Sequence, residues 1–152
     1  MAYLYTIISR EFRLNGFIQA MSEAGLTIKD EDILQGNFSE VDTFHAITAC
    51  LQSKQPLPTA FIAGNDLSAI GAIKAFKRFG YRVPEDISVT GFDNIAVLEY
   101  FTPGLTTVDN PIELQGKTAV AHLLDLISGK ALGETFELAG EMIIRHSTRY
   151  IN

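Results

Sequence analysis

Side chains able to bind a polar ligand follow each of the first four predicted strands. Strand-like apolar runs begin at residue 3 and near residues 33, 60 and 87, and a charged, amide or aromatic side chain comes after each run. These side chains are Arg10 and Arg13, then Phe38, then Asn65 with Asp66, and finally Asp93. Carboxylates accept several hydrogen bonds, guanidinium groups donate several, amides do both, and an aromatic ring covers an apolar face. Such a set suits a polar ligand that carries hydroxyl groups.

Four of these residues also have an explanation that involves no ligand. Asp66 is placed to cap the helix that follows it, and the pattern favours that role over ligand binding. Phe38 belongs to a residue type that is more often found in a core. Asn65 and Asp93 are common turn residues, so spacing alone leaves a turn and a ligand contact equally open.

The two arginines occupy the first turn of a predicted helix, where a positive charge opposes the helix macrodipole. A surface arginine without another role would be expected nearer the C-terminal end of a helix. The position therefore favours ligand contact for Arg13 and leaves Arg10 open between the two explanations.

Sequence patterns of catalytic, metal and cofactor sites do not occur. The chain has no Gly-x-Ser-x-Gly elbow, no Walker loop and no Gly-x-Gly-x-x-Gly fingerprint. His45, His122 and His146 are far apart and are not accompanied by cysteines, unlike the ligands of a zinc site. We therefore predict no enzymatic activity, no metal site and no cofactor.

Composition restricts the class of protein further. The 152 residues carry a formal net charge of −6, and the 12 lysines and arginines are scattered rather than clustered. Binding to DNA needs clustered basic charge, so this chain alone is not expected to bind it. The sequence shows neither a membrane span nor a secretory signal, and Cys50 has no partner for an internal disulfide. These features predict a cytoplasmic protein with a single domain.

Alternating strands and helices dominate the first two thirds of the chain. The second, third and fourth strands are spaced by about 27 residues, with a helical pattern after each of the first three. The predicted strands cover 3–8, 33–38, 60–63 and 87–91, and the predicted helices cover 10–24, about 40–51 and 67–79. Leu14, Phe17, Ile18 and Met21 are the expected buried stripe of the first helix. This alternation predicts an open, doubly wound α/β sheet with parallel strands.

The pattern changes after the fourth strand. Val97, Leu98, Tyr100 and Phe101 form an apolar stretch that either folds back onto the core or forms an interface, since aromatic residues are enriched at interfaces. A short strand at 105–108, a helix from Pro111 to residue 127 and a last strand at 136–144 complete the prediction.

Several segments together resemble the core of LacI/GalR-type transcriptional repressors, in order and at matching spacings. The segments are Arg13-Leu14-Asn15-Gly16-Phe17, Pro58-Thr59-Ala60-Phe61, Gly64-Asn65-Asp66, Ala69-Ile70-Gly71-Ala72, Gly80 to Val89, Gly91-Phe92-Asp93-Asn94, Leu105-Thr106-Thr107-Val108 and Arg145-His146-Ser147-Thr148. Each is weak alone, but the combination covers nearly the whole chain.

The resemblance implies a periplasmic-binding-protein-like fold with two lobes and an effector between them. It implies that Arg13 and Asp93 bind the effector, that Phe38 stacks on it and that Asn65 contacts it. Asn65 with Asp93 favours a sugar over a nucleobase. The resemblance also implies a homodimer that uses Val97, Leu98, Tyr100 and Phe101 together with Ser68 and Ala72.

The same resemblance implies that residues 1–152 are mostly the C-terminal lobe of the effector-binding domain. The helix-turn-helix headpiece and most of the first lobe are absent from this chain, so operator DNA would be contacted only through the missing headpiece. In the family, the helix at 112–127 packs in the first lobe. The alternative is a periplasmic sugar-binding protein of a transport system, which would share the fold and the cleft.

Overall fold

The computed structural model describes residues 3–5, 10–53, 56–130 and 135–150, with side chains described from Arg13 onward. Its regular elements in chain order are β1 (Tyr3–Tyr5), α1 (Arg10–Glu23), β2 (Ile33–Gln35), α2 (Glu40–Gln52), β3 (Ala60–Ile62), α3 (Asp66–Arg78), β4 (Ser88–Thr90), β5 (Thr107–Asp109), α4 (Ile112–Ile127) and β6 (Glu141–Ile143). Short 3-10 helices lie at Asp30–Asp32 and Ala96–Tyr100. The prediction of a mixed α/β protein is confirmed.

The strands are arranged in pairs that adjoin one another. β1 pairs with β2 and β3 pairs with β4, both in parallel, whereas β5 and β6 are antiparallel. β1 lies beside β3, and parallel bridges from Thr90 to Thr106 and from Asp93 to Asp109 join β4 to β5. The resulting order is β2-β1-β3-β4-β5-β6. The predicted parallel pairing is confirmed for β1 with β2 and for β3 with β4, and β5 joins β4 in parallel. The sequence predicted no direction for the last strand, which is antiparallel.

The core lies between the sheet and the pair of helices α2 and α3. The paired residues Phe61 of β3 and Val89 of β4 are almost fully buried, in one cluster with Ile73 and Phe76 of α3. The rings of Phe61 and Phe76 lie 4.8 Å apart, and Ile47 of α2 is also fully buried. Burying each such side chain contributes about 1.5–3 kcal/mol, which makes this layer the main source of stability.

Local signals explain where these helices begin. The Ser39 side chain accepts a hydrogen bond from the backbone of Asp42 at 3.2 Å, as the capping pattern predicts. At α3, however, the cap is Asn65, whose Oδ1 atom accepts from the Ser68 backbone N–H at 2.9 Å. The prediction that Asp66 caps this helix is wrong, because Asp66 is its first residue and its carboxylate binds other groups.

The apolar stripe predicted on α1 is only partly buried. Met21 is buried, but Ile18 is 39% exposed, and Leu14 and Phe17 are intermediate. α1 lies over one face of the sheet without the close packing that α2 and α3 have on the opposite face. The prediction of a buried Ile18 is therefore wrong.

α4 differs from the other helices because nearly all of its residues are exposed. Within the described part of the chain, none of its 16 residues is buried. Its large exposed side chains are Ile112, Leu114, Val120, Leu123, Leu124, Leu126 and Ile127. The only ring contact described for it joins His122 to Phe136, with centroids 4.7 Å apart.

None of the described helices is both long and apolar enough to cross a membrane.

Candidate functional site

The strand order creates a crevice at the carboxyl ends of β1 and β3. The chain runs from β1 through α1 to β2 on one side, and from β3 through α3 to β4 on the other. Ligands of doubly wound sheets bind at such a reversal of strand order, where the two following helices diverge. Arg13 of α1 and Asn65 at the start of α3 flank this crevice.

Arg13 reaches across the crevice to the loops that follow β3 and β4. Its guanidinium group donates to the backbone oxygen of Gly64 and lies 3.7 Å from the centre of the Phe92 ring. Its Nη2 atom is 3.4 Å from a carboxylate oxygen of Asp93. That ion pair is long, and both side chains keep about a quarter of their surface exposed, at 29% and 25%. A ligand hydroxyl group can therefore approach both partners.

Asp93 lies in a tight loop beyond β4. Its backbone φ angle is 105°, in the left-handed region that few non-glycine residues adopt. Its N–H donates to the backbone oxygen of Val108 at 2.9 Å. The surrounding structure holds this unfavourable conformation in place, as is common at ligand-binding sites.

Asn65 and Phe38 connect the crevice to the loop after β2. Asn65 is 9% exposed, and its amide nitrogen donates to the Phe38 backbone oxygen at 3.3 Å. Phe38 is half-buried and has a φ angle of 55°. The amide of Asn65 thus holds the backbone of Phe38. The contacts described above use one of its two N–H groups and one lone pair of its oxygen, so the amide has further capacity to donate and to accept.

Four of the five predicted ligand residues are thus in described positions, on loops and helix starts at one rim. Arg10 is the first residue of α1, but its side chain lies outside the described residues. The spacing of these residues along the chain is what predicted their positions at strand ends, and their contact with a ligand stays a prediction.

Asp66 has a role that its position in the sequence did not reveal. Its carboxylate is fully buried and accepts hydrogen bonds from the Thr107 hydroxyl at 2.6 Å and the Ile95 N–H at 2.9 Å. Burial raises the pKa of this carboxyl above its ordinary value, against the opposing effect of these bonds. Asp66 therefore joins α3, the loop after β4 and β5. Only the folding of distant segments onto α3 creates these contacts, so a local pattern could not show them.

An apolar cavity of about 330 Å³ adjoins Arg13 under α1. Its walls come from α1, from the ends of β3 and β4, and from the exposed faces of β5 and β6. The lining side chains include Leu14, Phe17, Ile62, Phe92, Val108 and Met142. The arrangement of polar rim and adjacent apolar wall can bind a small molecule, but it offers no nucleophile with a base beside it.

The residues predicted for a dimer interface divide into two groups. Ser68, Ala72 and Leu98 are buried inside the chain itself, and Phe101 packs against the core. Val97 and Tyr100 are exposed, at 50% and 86%. Only these last two have much surface available for a second copy.

The described residues contain no group of three or more histidine, cysteine or acidic side chains able to hold a metal ion.

Comparison with known proteins identifies the fold family. Residues 6–148 match the periplasmic binding protein-like domain family. Among curated proteins, the chain is 46% identical over 136 residues to the HTH-type transcriptional repressor PurR of Proteus mirabilis and 42% identical over 141 residues to that of Vibrio vulnificus. These alignments cover 89% and 92% of the chain. The chain spans only 40% and 42% of the length of these relatives.

Solved structures give the same result. The Lac repressor bound to ONPG superposes with a TM-score of 0.89 at 29% identity, over 97% of this chain and 45% of that one. The transcriptional regulator CelR in complex with cellobiose superposes with a TM-score of 0.87 at 28% identity, over 96% and 46%. The relatives are transcriptional repressors rather than transport proteins or enzymes. The chain therefore belongs to the periplasmic binding protein-like family and corresponds to the effector-binding core of LacI/GalR-type repressors.

Proposed function

We propose that the chain is the ligand-sensing and dimerisation part of a cytoplasmic repressor of the LacI type. It binds a small effector, a sugar, at the rim formed by Arg13, Phe38, Asn65 and Asp93, and the bound effector modulates operator binding by the rest of the protein. The observation that carries the proposal is the Arg13–Asp93 pair, which is long, partly exposed and located at the reversal of strand order.

The geometry of that pair suits hydroxyl groups. A carboxylate accepts hydrogen bonds from two adjacent hydroxyls, and a guanidinium group donates to their oxygens. The Asn65 amide adds a group that both donates and accepts, and the Phe38 ring adds an apolar face. Sugars combine hydroxyl-rich edges with apolar ring faces. A sugar would therefore use both the polar groups and the aromatic ring of this rim.

The choice of a sugar over a nucleobase rests on Asn65 with Asp93 and on two structural neighbours. CelR is described in complex with cellobiose, and a LacI-family regulator from Arthrobacter in complex with lactose superposes with a TM-score of 0.84. Both are 28% identical to this chain. Their ligands support the class of effector proposed here and leave its identity to experiment.

A thermal-shift screen of the full-length product of the native gene tests the proposal. The panel contains cellobiose, lactose, several monosaccharides and the common nucleobases. A ligand that binds only the native state raises the unfolding temperature, and a concentration 100 times Kd adds about 2.7 kcal/mol of stability. Stabilisation by a sugar is expected. Stabilisation by a nucleobase alone would reject the sugar class while leaving the site intact.

The role of Asp93 is tested by calorimetry with the sugar that this screen selects. Asp93→Ala should weaken binding about ten- to a hundredfold, because a hydrogen bond to a charged group contributes about 1.5–3 kcal/mol. Asp93→Asn, which tolerates the left-handed backbone better, should also weaken it. Asp125→Ala removes an exposed carboxylate of α4 and serves as the control. Unchanged affinity in both Asp93 variants would remove this residue from the site.

Two further parts of the proposal concern partners. Binding to operator DNA would require a segment outside this chain, so a mobility-shift assay with the 152-residue chain should show no sequence-specific complex.

Self-association would use the exposed Val97 and Tyr100, and α4 could add a contact. Sedimentation of a clean monomer at tens of micromolar would count against self-association.

A further inference from the structure

Three side chains that the proposed site does not use meet beside Asp93. The amide nitrogen of Asn94 donates to Oδ1 of Asp109 at 2.8 Å, and its amide oxygen accepts from Nη2 of Arg145 at 2.7 Å. A carboxylate can only accept and a guanidinium group can only donate, so the two partners fix the orientation of this amide. Both ends of the Asn94 side chain are therefore engaged.

The backbone at Asp93 and Asn94 adopts a conformation that non-glycine residues disfavour. Asn94 has a φ angle of 53°, directly after Asp93 with its φ of 105°. Two consecutive residues in the left-handed region are disfavoured and persist only where other contacts hold them. Asn94 contributes two of these contacts through its side chain, and both involve a charged partner, which makes them stronger than neutral hydrogen bonds.

The partners of Asn94 lie next to or on the two strands that flank α4 in the chain, β5 and β6. Asp109 is the last residue of β5, three residues before α4 begins. Arg145 comes two residues after β6, the strand that follows α4. Arg145 is itself fixed, since its guanidinium group donates to the Leu105 backbone oxygen at 2.8 Å and its N–H donates to the Thr106 hydroxyl at 3.0 Å.

We propose that Asn94, Asp109 and Arg145 form a side-chain link that positions Asp93 and couples it mechanically to the β5–β6 pair that carries α4. A displacement of β5 or β6 changes the position of a direct partner of Asn94. The Asn94 side chain transmits that change to the backbone of Asp93, one residue away. The three residues act as positioning residues and do not touch the effector.

The neighbouring contacts show where the turn that carries Asn94 is anchored. On one side of Asn94, the Asp93 N–H binds Val108 of β5. On the other side, the Ile95 N–H binds Asp66 of α3, which belongs to the packed core. The turn is thus anchored to the core at Ile95 and to the strands at Asp93 and Asn94. Movement of the strands relative to the core must therefore alter the geometry between these anchors.

Hydrogen exchange at single amides tests the link without any effector. Asn94→Gly removes both side-chain contacts while keeping a residue that adopts a positive φ without strain. The Asp93 amide should then exchange at least about tenfold faster, because local opening of the turn no longer breaks two charge-assisted bonds. The Ala63 amide, which donates to the Thr90 oxygen at 2.9 Å within the core, should exchange at the same rate as before.

Asn37→Gly is the matched control. Asn37 also has a left-handed backbone, with a φ of 50°, and its amide also donates to a carboxylate, that of Asp42 at 3.2 Å. The substitution is chemically the same but lies outside the link. It should leave the Asp93 amide unchanged, and acceleration in this control would mean that the readout reports general loosening.

Coupling to the strand pair is tested by Arg145→Gln, alone and combined with Asn94→Gly. Arg145→Gln alone should accelerate exchange of the Asp93 amide, and the double variant should be no faster than Asn94→Gly. An unchanged Asp93 amide in Arg145→Gln, or a further acceleration in the double variant, would overturn the proposal. Asp109→Asn, which keeps an acceptor oxygen but removes the charge, should give a smaller acceleration and provides a milder variant if the others unfold.

The consequence for effector binding rests on the proposed function. In the full-length protein, Arg145→Gln should change the calorimetric affinity for the sugar selected above, although Arg145 does not contact it. Because the exchange experiment uses no effector, it supports or rejects the link even if the sugar proposal fails. If the variants accelerate exchange as expected but no sugar binds, the link stands and only the proposed sugar-binding function is rejected.

Discussion

α3 and α4 are helices of similar length with opposite environments. α3 buries nine of its 13 residues between the sheet and α2. α4 carries at least as many large apolar side chains, yet within the described part of the chain it buries none of its 16 residues. Apolar composition therefore predicts which faces need a partner, but the availability of a partner decides whether they are buried.

The exposed apolar side chains of α4 are unusual, because most of the stability of a helix in a protein comes from packing its apolar face against other elements. Exposed apolar patches are typical of interaction sites. The packed and the exposed helix should therefore respond very differently to the same substitutions.

The largest difference is expected for truncation of large side chains. Phe76→Ala in α3 should lower the free energy of unfolding by about 3–5 kcal/mol, because it leaves a cavity beside Phe61. Leu124→Ala in α4, at a site that is 60% exposed, should change it by less than about 0.5 kcal/mol. Urea unfolding measures both. Equal losses would show that α4 is packed in solution and would end the comparison.

Glycine substitutions should differ in sign between the two helices. A Cβ atom at Gly71 of α3 would overlap the backbone oxygen of Glu40, so α2 and α3 must separate. Gly71→Ala should therefore destabilise the protein by about 1–3 kcal/mol. Nothing lies within 4 Å of the corresponding position at Gly116 of α4. Gly116→Ala should stabilise it by up to about 1 kcal/mol in the same urea assay, through helix propensity.

A smaller change in the free energy of unfolding, which depends on pH, is expected at Asp66, the first residue of α3. Burial raises the pKa of Asp66 in the folded state, so the protonated form favours folding and this contribution is fully present below the unfolded pKa of about 3.9. The contribution is lost as the pH rises through the higher folded pKa. The stability of the wild type relative to Asp66→Asn should therefore fall as the pH increases from about 4. Parallel curves over that range would contradict the raised pKa.

The smallest effect is expected at an exposed carboxylate with the opposite shift. Hydrogen bonds from Arg82 lower the pKa of Asp86 to about 2. The stabilisation is therefore present above the unfolded pKa of about 3.9 and is lost as the pH falls through about 2. Relative to Asp86→Asn, the wild type should lose stability only in that acid range. A difference that persists below pH 2 would show that charge is not its cause.

Regular patterns made the β-α units predictable from the sequence. Alternating apolar runs and helical periodicity recur about every 27 residues, and each strand end carries a polar or aromatic side chain. Since parallel strands end at one edge of a sheet, the positions of Arg13, Asn65 and Asp93 along the chain are enough to predict that they lie together.

The errors arose where distant contacts decide between local alternatives. Asn65 and Asp66 are adjacent, and both are good capping residues, so the sequence could not show which one caps α3. Asp66 does not cap the helix because its carboxylate accepts hydrogen bonds from Thr107 and Ile95, which are distant in the sequence. Ile18 has the right spacing for burial, but the surface against which α1 packs does not cover it.

The antiparallel pairing of β5 and β6 has a consequence for protein engineering. Asp109 at the end of β5 faces Glu141 at the start of β6, so the chain leaves the sheet and returns to it at neighbouring points. In topological terms the intervening stretch is an insertion into a hairpin. A two-residue Asn-Gly turn is the usual way to join antiparallel strands. Replacing the insertion with such a turn would give a smaller α/β unit that keeps β1 to β6 and loses the exposed helix.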